Sequence, residues 1–268
     1  MAAPVRAFTF VSSTINDMET IATTHPSWFK HWFNSAFYHK LYANRDEKEA
    51  AGFIDALLLE LQPAPGARMM DLGCGAGRHA KYLASKGFDT TGMDLAFSSI
   101  RTARQFATDT LRFFQQDMRK PFGDNRFDYI FNFFTSFGYF KSNEENKKVI
   151  SNISRALTPG GRLVLDYLNV HYAQAGLVAR EEKEIDGIVY QLVRWTDGRH
   201  FFKKIVIDNI PGQAPFEYTE QVEKLYLHDF MRLFQCNGLH LQSVYGDYRL
   251  NPYNVITSPR LIMTVIKK

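Results

Sequence analysis

Asp71, Gly73, Gly75, Gly77 and Asp94 are the residues whose types and spacing could do chemistry. The three glycines alternate directly after the run Met69-Met70-Asp71-Leu72, so three side chains are removed where the backbone leaves a strand and enters a helix. A ligand can lie directly against such a main chain. Asp94 follows Gly73 by 21 residues, at the end of a second predicted strand from Thr90 to Met93. That spacing suits a carboxylate accepting hydrogen bonds from a ribose diol. A dinucleotide fingerprint would need glycine or alanine at position 78, where Arg78 stands, so the turn argues against NAD and suits a nucleoside ligand without a pyrophosphate. A lone glycine turn also occurs in ordinary strand-to-helix connections; the spaced acids set this one apart.

The elements that must position these residues can be read from periodicity. Trp28, Phe29, Trp32, Phe33, Phe37, Tyr38, Leu41 and Tyr42 recur at helical spacing, a stripe more typical of core than of a cofactor box. Asn44 followed by Glu47 predicts a second helix start, with Phe53, Ile54, Leu57, Leu58 and Leu61 on one face until Pro63. After the glycine turn, a helix carrying Ala80, Leu83 and Ala84 ends at Gly87, and Ser98 or Ser99 caps another that runs to about Thr108. Strands are predicted at Leu111 to Gln115, Asp128 to Phe133 and Arg162 to Leu168. Ser142 and Glu145 form a capping box for a helix that ends at the turn Thr158-Pro159-Gly160-Gly161. Such alternation implies a parallel, doubly wound α/β sheet, with Asp71, Asp94, Asp117 and Asn132 at its ligand edge.

The rhythm changes after Leu168. Asp186-Gly187 and Asp197-Gly198 are two-residue hairpin signals and Pro211-Gly212 is a third turn, which together imply an antiparallel meander of four strands inserted into the α/β frame. Helical character returns at Phe230, Leu233 and Phe234, and strands Leu239 to Tyr245 and Arg260 to Ile266 close the sheet as an antiparallel pair. The expected division is a flexible tail over 1–26, a helical lid over 27–62, a ligand-binding domain over 63–170 and 226–268, and an inserted sheet over 171–225.

With 268 residues, 45% of them hydrophobic, the chain can bury a full core. Its net charge of +4 is spread without blocks of like charge, which argues against a nucleic-acid face. Cys74 and Cys236 are too few and too scattered for a disulfide framework or a zinc site, so a cytoplasmic location is expected. No segment approaches the apolar length of a membrane span.

Asp71-Leu72-Gly73-Cys74-Gly75-Ala76-Gly77, Gly92-Met93-Asp94-Leu95, Gln116-Asp117-Met118, Phe127-Asp128-Tyr129-Ile130 and Leu157-Thr158-Pro159-Gly160-Gly161 together resemble the class I S-adenosylmethionine-dependent methyltransferases. The resemblance spans about residues 63–169 in register. It implies a Rossmann-like, seven-stranded, mostly parallel sheet; the helical N-terminus and inserted sheet are similar to the small-molecule branch that includes glycine and sugar N-methyltransferases. By position, the family implies Gly73, Gly75 and Gly77 under the methionine part of S-adenosyl-L-methionine, with Asp71 at the preceding strand end. Asp94 would hold the ribose, Leu95 would lie on the adenine, and Asp117 and Met118 would sit at the adenine edge. Asn132 and Phe133 would lie beside the transferring methyl. Tyr38 and Tyr42 resemble the segment that closes over the cofactor, and Arg45 or Arg78 would pair with its carboxylate.

Tyr139 and His171 are the groups nominated for proton handling, since each follows a strand at the ligand edge. Asp166 and Asn132 do not form the paired acids of metal-dependent O-methyltransferases, so no metal is expected. The segment from Asn132 to Phe140 lacks the Asn-Pro-Pro-aromatic pattern of enzymes that methylate bases. The acceptor implied is a nitrogen or oxygen of a small molecule; an RNA or protein acceptor and a non-catalytic cofactor-binding module are the alternatives. A homodimer is compatible with the sequence.

Overall fold

The computed structural model describes residues 28–42 and 47–268. The tail expected over 1–26, the helix start at Asn44 and the candidate Arg45 lie outside the described residues. Helices α1 (Trp28–Phe33) and α2 (Ala36–Leu41) take up the aromatic stretch, separated by Ser35, whose Oγ accepts from the Tyr38 N–H at 3.1 Å and caps α2. Helix α3 (Glu47–Leu61) buries Phe53, Ile54, Leu57 and Leu61. Strands and helices then alternate as β1 (Arg68–Leu72), α4 (Arg78–Ser85), β2 (Asp89–Asp94), α5 (Phe97–Ala103), β3 (Leu111–Gln115), β4 (Phe127–Asn132), α6 (Asn143–Ala156) and β5 (Leu157–Leu168). The chain continues through α7 (Val170–Ala175), β6 (Arg180–Ile185), β7 (Ile188–Thr196), β8 (His200–Ile207), β9 (Phe216–Glu223), α8 (Leu227–Gln235), β10 (Leu239–Tyr245) and β11 (Arg260–Lys267).

The main sheet has the order β10-β11-β5-β4-β1-β2-β3, parallel from β5 to β3, with β11 antiparallel to both of its neighbours. Strand order reverses beside β1, which lies between β4 and β2; ligands of doubly wound sheets bind at such a point. Successive residues point to opposite faces, so both faces are apolar and both are covered. Met70, Ile130 and Leu163 pack with Ile150 of α6 and with Phe230 and Phe234 of α8. Met69, Phe131, Val164 and Ile262 pack with Phe53 and Leu57 of α3 and Leu83 of α4.

The second sheet is the antiparallel meander β6-β7-β8-β9. Tyr190, Leu192, Ile205 and Ile207 on its inner face pack around Trp32, with Phe33, Phe37 and Tyr38 of the N-terminal helices alongside. At Asp186-Gly187 both residues have positive φ, 50° and 74°, as a two-residue turn matched to strand twist requires.

Four local expectations change. Asp197 opens a three-residue connection rather than a two-residue one, because its Oδ1 accepts from the main-chain N–H groups of Arg199 and His200, each at 2.6 Å. Helix α5 starts earlier, with Ala96 as its N-cap, while Ser98 instead meets Asn34. The Glu145 carboxylate returns its capping bond to the Lys141 N–H, one residue before Ser142. The turn at Thr158–Gly161 is looped out within β5, where Leu157 pairs with Phe127 and Arg162 with Tyr129. Helix α7 was not anticipated; Asn169 caps it through the His171 N–H.

Phe230 is buried with its ring 5.1 Å from Tyr167 and 5.8 Å from Phe137. Phe230→Ala is expected to lower the unfolding free energy by ~3–5 kcal/mol in urea denaturation, through lost transfer energy and the cavity left behind; a loss under ~1 kcal/mol would contradict this packing of α8.

Candidate active site

The glycine turn is held by the neighbouring strand. Gly73 and Cys74 both donate their N–H groups to the Met93 carbonyl, at 2.7 and 3.0 Å. Asp94 Oδ2 accepts from the Gly75 N–H and Oδ1 from the Ala96 N–H, each at 2.8 Å. A carboxylate has about four acceptor positions, so with the Leu95 N–H as a third main-chain donor Asp94 still keeps about one for a ligand. Burial raises its carboxyl pKa, while the main-chain donors, and His39 more weakly, act the other way.

The glycines are required for different reasons. A Cβ at Gly73 (φ 83°) would stand 2.7 Å from Ser136 Cβ, and one at Gly77 (φ 86°) 2.7 Å from the Phe113 ring. Gly75 (φ 54°) faces open space, with no atom within 4 Å of its Cβ position. Gly73 and Gly75 line a cavity of about 650 Å³, within the usual range for small-molecule sites, whereas Gly77 packs behind it.

Around the cavity stand Asp94, Leu95, Asp117, Met118, Phe133, Arg78, Tyr38, Tyr42 and Tyr139. Tyr42 donates to Glu220 Oε1 at 3.0 Å and accepts from Lys203, and Trp32 Nε1 donates to the same Glu220 oxygen at 2.7 Å. The Tyr139 ring meets Trp28 and Phe33 edge-on at 5.7 and 5.5 Å. Arg78 lies 5.0 Å from the Phe134 ring.

Several expectations are redirected. Asp71 and Asn132 do not line the cavity; both are buried beneath it. Asp71 accepts from the Ala80 N–H and thus caps the first turn of α4, while its Oδ2 has no partner among the described residues. Burial, then the nearby Asp94 charge, push its carboxyl up to about 7. Asn132 donates from Nδ2 to the Leu72 carbonyl at 2.7 Å, tying β4 to the end of β1. Asp117 lines the cavity, yet its carboxylate accepts from the Arg119 main chain at 3.0 Å and from the Arg119 guanidinium at 2.6 Å, so it is already much occupied. His171 sits exposed on α7 with its ring 5.3 Å from Tyr226, away from the cavity, because the chain turns into a helix directly after β5.

The structure adds residues that the sequence reading passed over. His39 lines the cavity with Nε2 2.9 Å from Ser98 Oγ, and burial lowers its pKa against the opposing pull of Asp94. Its place beside Tyr38 was the available signal. Arg119 bridges Asp117 and Glu145 and lies 5.5 Å from the rings of Phe29 and Phe140. Phe134 and Ser136, also in the wall, belong to a loop in which Phe134 and Thr135 have φ 53° and 58°. Non-glycine residues held there cost about 1–3 kcal/mol each, and nothing in their types announces it.

Residues 70–165 match a methyltransferase domain family. A Geobacillus sp. (strain WCH70) relative is 29% identical over 167 residues, covering 60% of this chain and 66% of that protein, so the match spans just under two thirds of its length. The dTDP-3-amino-3,4,6-trideoxy-alpha-D-glucopyranose N,N-dimethyltransferase of Streptomyces venezuelae is 28% identical over 217 residues, covering 78% of this chain and 91% of that one. The crystal structure of an S-adenosylmethionine-dependent methyltransferase from Clostridium acetobutylicum ATCC 824 shares the fold, with a TM-score of 0.72 at 20% identity over 86% of this chain and 96% of that one. With the five motifs standing in or beside it around the glycine turn, residues 70–165 form a methyltransferase domain, and the chain as a whole shares the fold of an S-adenosylmethionine-dependent methyltransferase.

Proposed function

We propose that this chain transfers the methyl group of S-adenosylmethionine to a nitrogen or oxygen of a small molecule, with an amino group on a sugar-like acceptor as the leading class. The observation that carries the reading is the cavity itself. One end is made of a bare glycine turn and a partly committed carboxylate; the other is walled by Phe29, Phe33, Tyr139 and Phe140. The open Cβ position of Gly75 and the unpartnered Asp71 oxygen beneath it fit a ligand that brings positive charge to the turn. In this reading Asp94 accepts from the ribose hydroxyls, Leu95 and Met118 flank the adenine, and Asp117 with Gln116 marks its edge. Gly73 and Gly75 bring the main chain under the methionine part, and Arg78 takes its carboxylate. Tyr38 and Tyr42 close the N-terminal side as part of a lid.

When bound, the cofactor would supply a methyl on a sulfonium, whose carbon a neutral amine or a hydroxyl would attack in line as the C–S bond breaks and a neutral thioether leaves. The chain's own task is then to align the acceptor and exclude water. The rings of the aromatic end do both, and their faces suit a cation such as a methylated amine. Tyr139 is the residue proposed to handle the acceptor proton; His171 has no place in the proposal. An acceptor of small size is also supported by the Streptomyces venezuelae relative, whose name gives an amino sugar as its substrate. The outer face of the second sheet alternates charge, as in the pair Lys204–Glu217 at 3.0 Å, instead of presenting the continuous basic surface an RNA would need. A screen of amino sugars, small amines and phenols with methyl-labelled cofactor tests the acceptor; label appearing only on RNA or protein would refute this reading.

Asp94→Ala is expected to weaken S-adenosylmethionine binding by ~1–3 kcal/mol in calorimetric titration, since it deletes a buried acceptor and leaves the Gly75 and Ala96 N–H groups unpaired. Unchanged affinity in a folded variant would sink the cofactor placement.

Asp71 also gives the ligand-free protein a pH signature. Its folded pKa of about 7 lies above the 3.8 of a free carboxyl, so the folded state holds the proton more tightly. Its contribution to stability is full below about pH 4 and is lost as pH rises through 7. Thermal unfolding should therefore show a downward slope between pH 5 and 8 that flattens in Asp71→Asn, and an identical slope in the variant would exclude Asp71 as its source.

A further inference from the structure

We infer that Asp166, fully buried, and Arg260, part-buried, both outside the cavity, act as positioning residues that hold the loop Phe134–Thr135 in the shape the cofactor cavity needs. The inference rests on the cofactor reading above. Asp166 lies in β5 and Arg260 opens the adjacent antiparallel strand β11. Arg260 Nε donates to Asp166 Oδ1 at 2.7 Å. An ion pair with a buried carboxylate is not by itself an efficient way to stabilise a fold, because the charges must first be largely desolvated. What this pair does besides pairing is therefore informative.

Its remaining hydrogen-bonding capacity is spent on the loop that follows β4. Asp166 Oδ2 accepts from the Phe134 N–H at 2.8 Å, and the Asp166 main-chain carbonyl accepts from the Thr135 N–H at 3.1 Å. Arg260 Nη2 donates to Thr135 Oγ1 at 3.0 Å, and Tyr248 donates to Asp166 Oδ2 at 3.3 Å. Among the described residues Phe134 and Thr135 are the two consecutive non-glycine residues with left-handed φ, a conformation that persists only where surroundings over-determine it. The Phe134 N–H and the threonine hydroxyl converge on the ion pair itself, and the Thr135 N–H on the main chain of Asp166.

The consequence appears in the cavity wall. The loop sets the Phe134 ring 5.0 Å from the Arg78 guanidinium and 5.2 Å from His79, and the Phe133 ring 4.7 Å from His79. It also brings Ser136 against Gly73, in the space a Cβ there would fill. Phe133, Phe134, Ser136, Arg78 and His79 all line the cavity, so a relaxed loop would reshape the end at which the cofactor's methionine part is placed. Neither Asp166 nor Arg260 touches that space.

Thr135→Val tests this with little risk to the fold, because it keeps the ion pair and removes only the hydroxyl on which Arg260 acts, while making the left-handed backbone less favourable. Thr135→Asn keeps an acceptor and tolerates that backbone. Ile153→Val, on the buried face of α6, serves as a stability control. Three quantities are measured: thermal unfolding, S-adenosylmethionine affinity by calorimetry, and amide hydrogen exchange at Phe134 and Thr135. The expected result is at least tenfold weaker binding and at least tenfold faster exchange in Thr135→Val, with both near the wild-type values in Thr135→Asn and Ile153→Val. Wild-type affinity and exchange in Thr135→Val would overturn the inference, as would an equal loss of affinity in Ile153→Val at matched melting temperature. If the wild-type protein binds no S-adenosylmethionine, the cofactor reading fails instead, and the exchange rates alone still decide whether the pair holds the loop.

Discussion

The ligand edge of this molecule depends on how the end of β2 satisfies the turn that follows β1. Leu72 and Met93 are register partners, so the two strands finish side by side. The chain leaving β1 carries N–H groups that would be costly to bury unpaired. The Met93 carbonyl takes two of them and the Asp94 carboxylate a third. With the turn fixed, α4 begins at Arg78 with its N-terminus at the cavity, and Asp94 itself is locked in place by the Ala96 N–H. One residue at a strand end thus both shapes the turn and is presented beside it.

The second sheet contributes through the N-terminal helices. Its inner face buries Trp32 and brackets the aromatic rings of α1 and α2, while Glu220, paired with Lys203 at 2.6 Å, draws in the Trp32 indole and the Tyr42 hydroxyl. Apolar burial supplies the bulk of the attraction, and the polar contacts fix the helices' orientation, since a misplaced helix would leave the part-buried Glu220 and Lys203 poorly matched. Phe29, Phe33, Tyr38, His39 and Tyr42 thereby reach a cavity whose floor belongs to the main sheet. The aromatic stripe, which by pattern alone reads as core, is both core and cavity wall: Trp32 is fully buried on the sheet while Tyr38 and Tyr42 line the opening.

Legibility followed the range of the interactions. Strand and helix identities came through because Met69 and Met70, or Ile150 and Ile153, repeat at the period their burial demands. The Asp186-Gly187 hairpin was legible because a two-residue turn places its demand on those two residues. Asp197-Gly198 misled because the Asp197 side chain supplies a different turn from the same letters. At the cavity, Asp94, Leu95, Met118, Gly73 and Gly75 form part of the wall while Gly77 packs behind it, Asp117 is engaged by a neighbour two residues on, and His171 is carried off by an unanticipated helix.

The order of strands and helices, the bare turn after β1 and the acid at the end of β2 were determined by the sequence itself, because each follows from propensity and period within a few residues. The tertiary structure decided which glycine faces the open cavity and which only avoids a ring, which acid is spoken for, and which rings close the cavity. Gly77 answers to Phe113, Gly73 to Ser136, and the loop at Phe134 to Asp166 and Arg260, partners tens to more than a hundred residues away. Such contacts exist only once desolvation and packing have brought distant segments together, and no local pattern carries them.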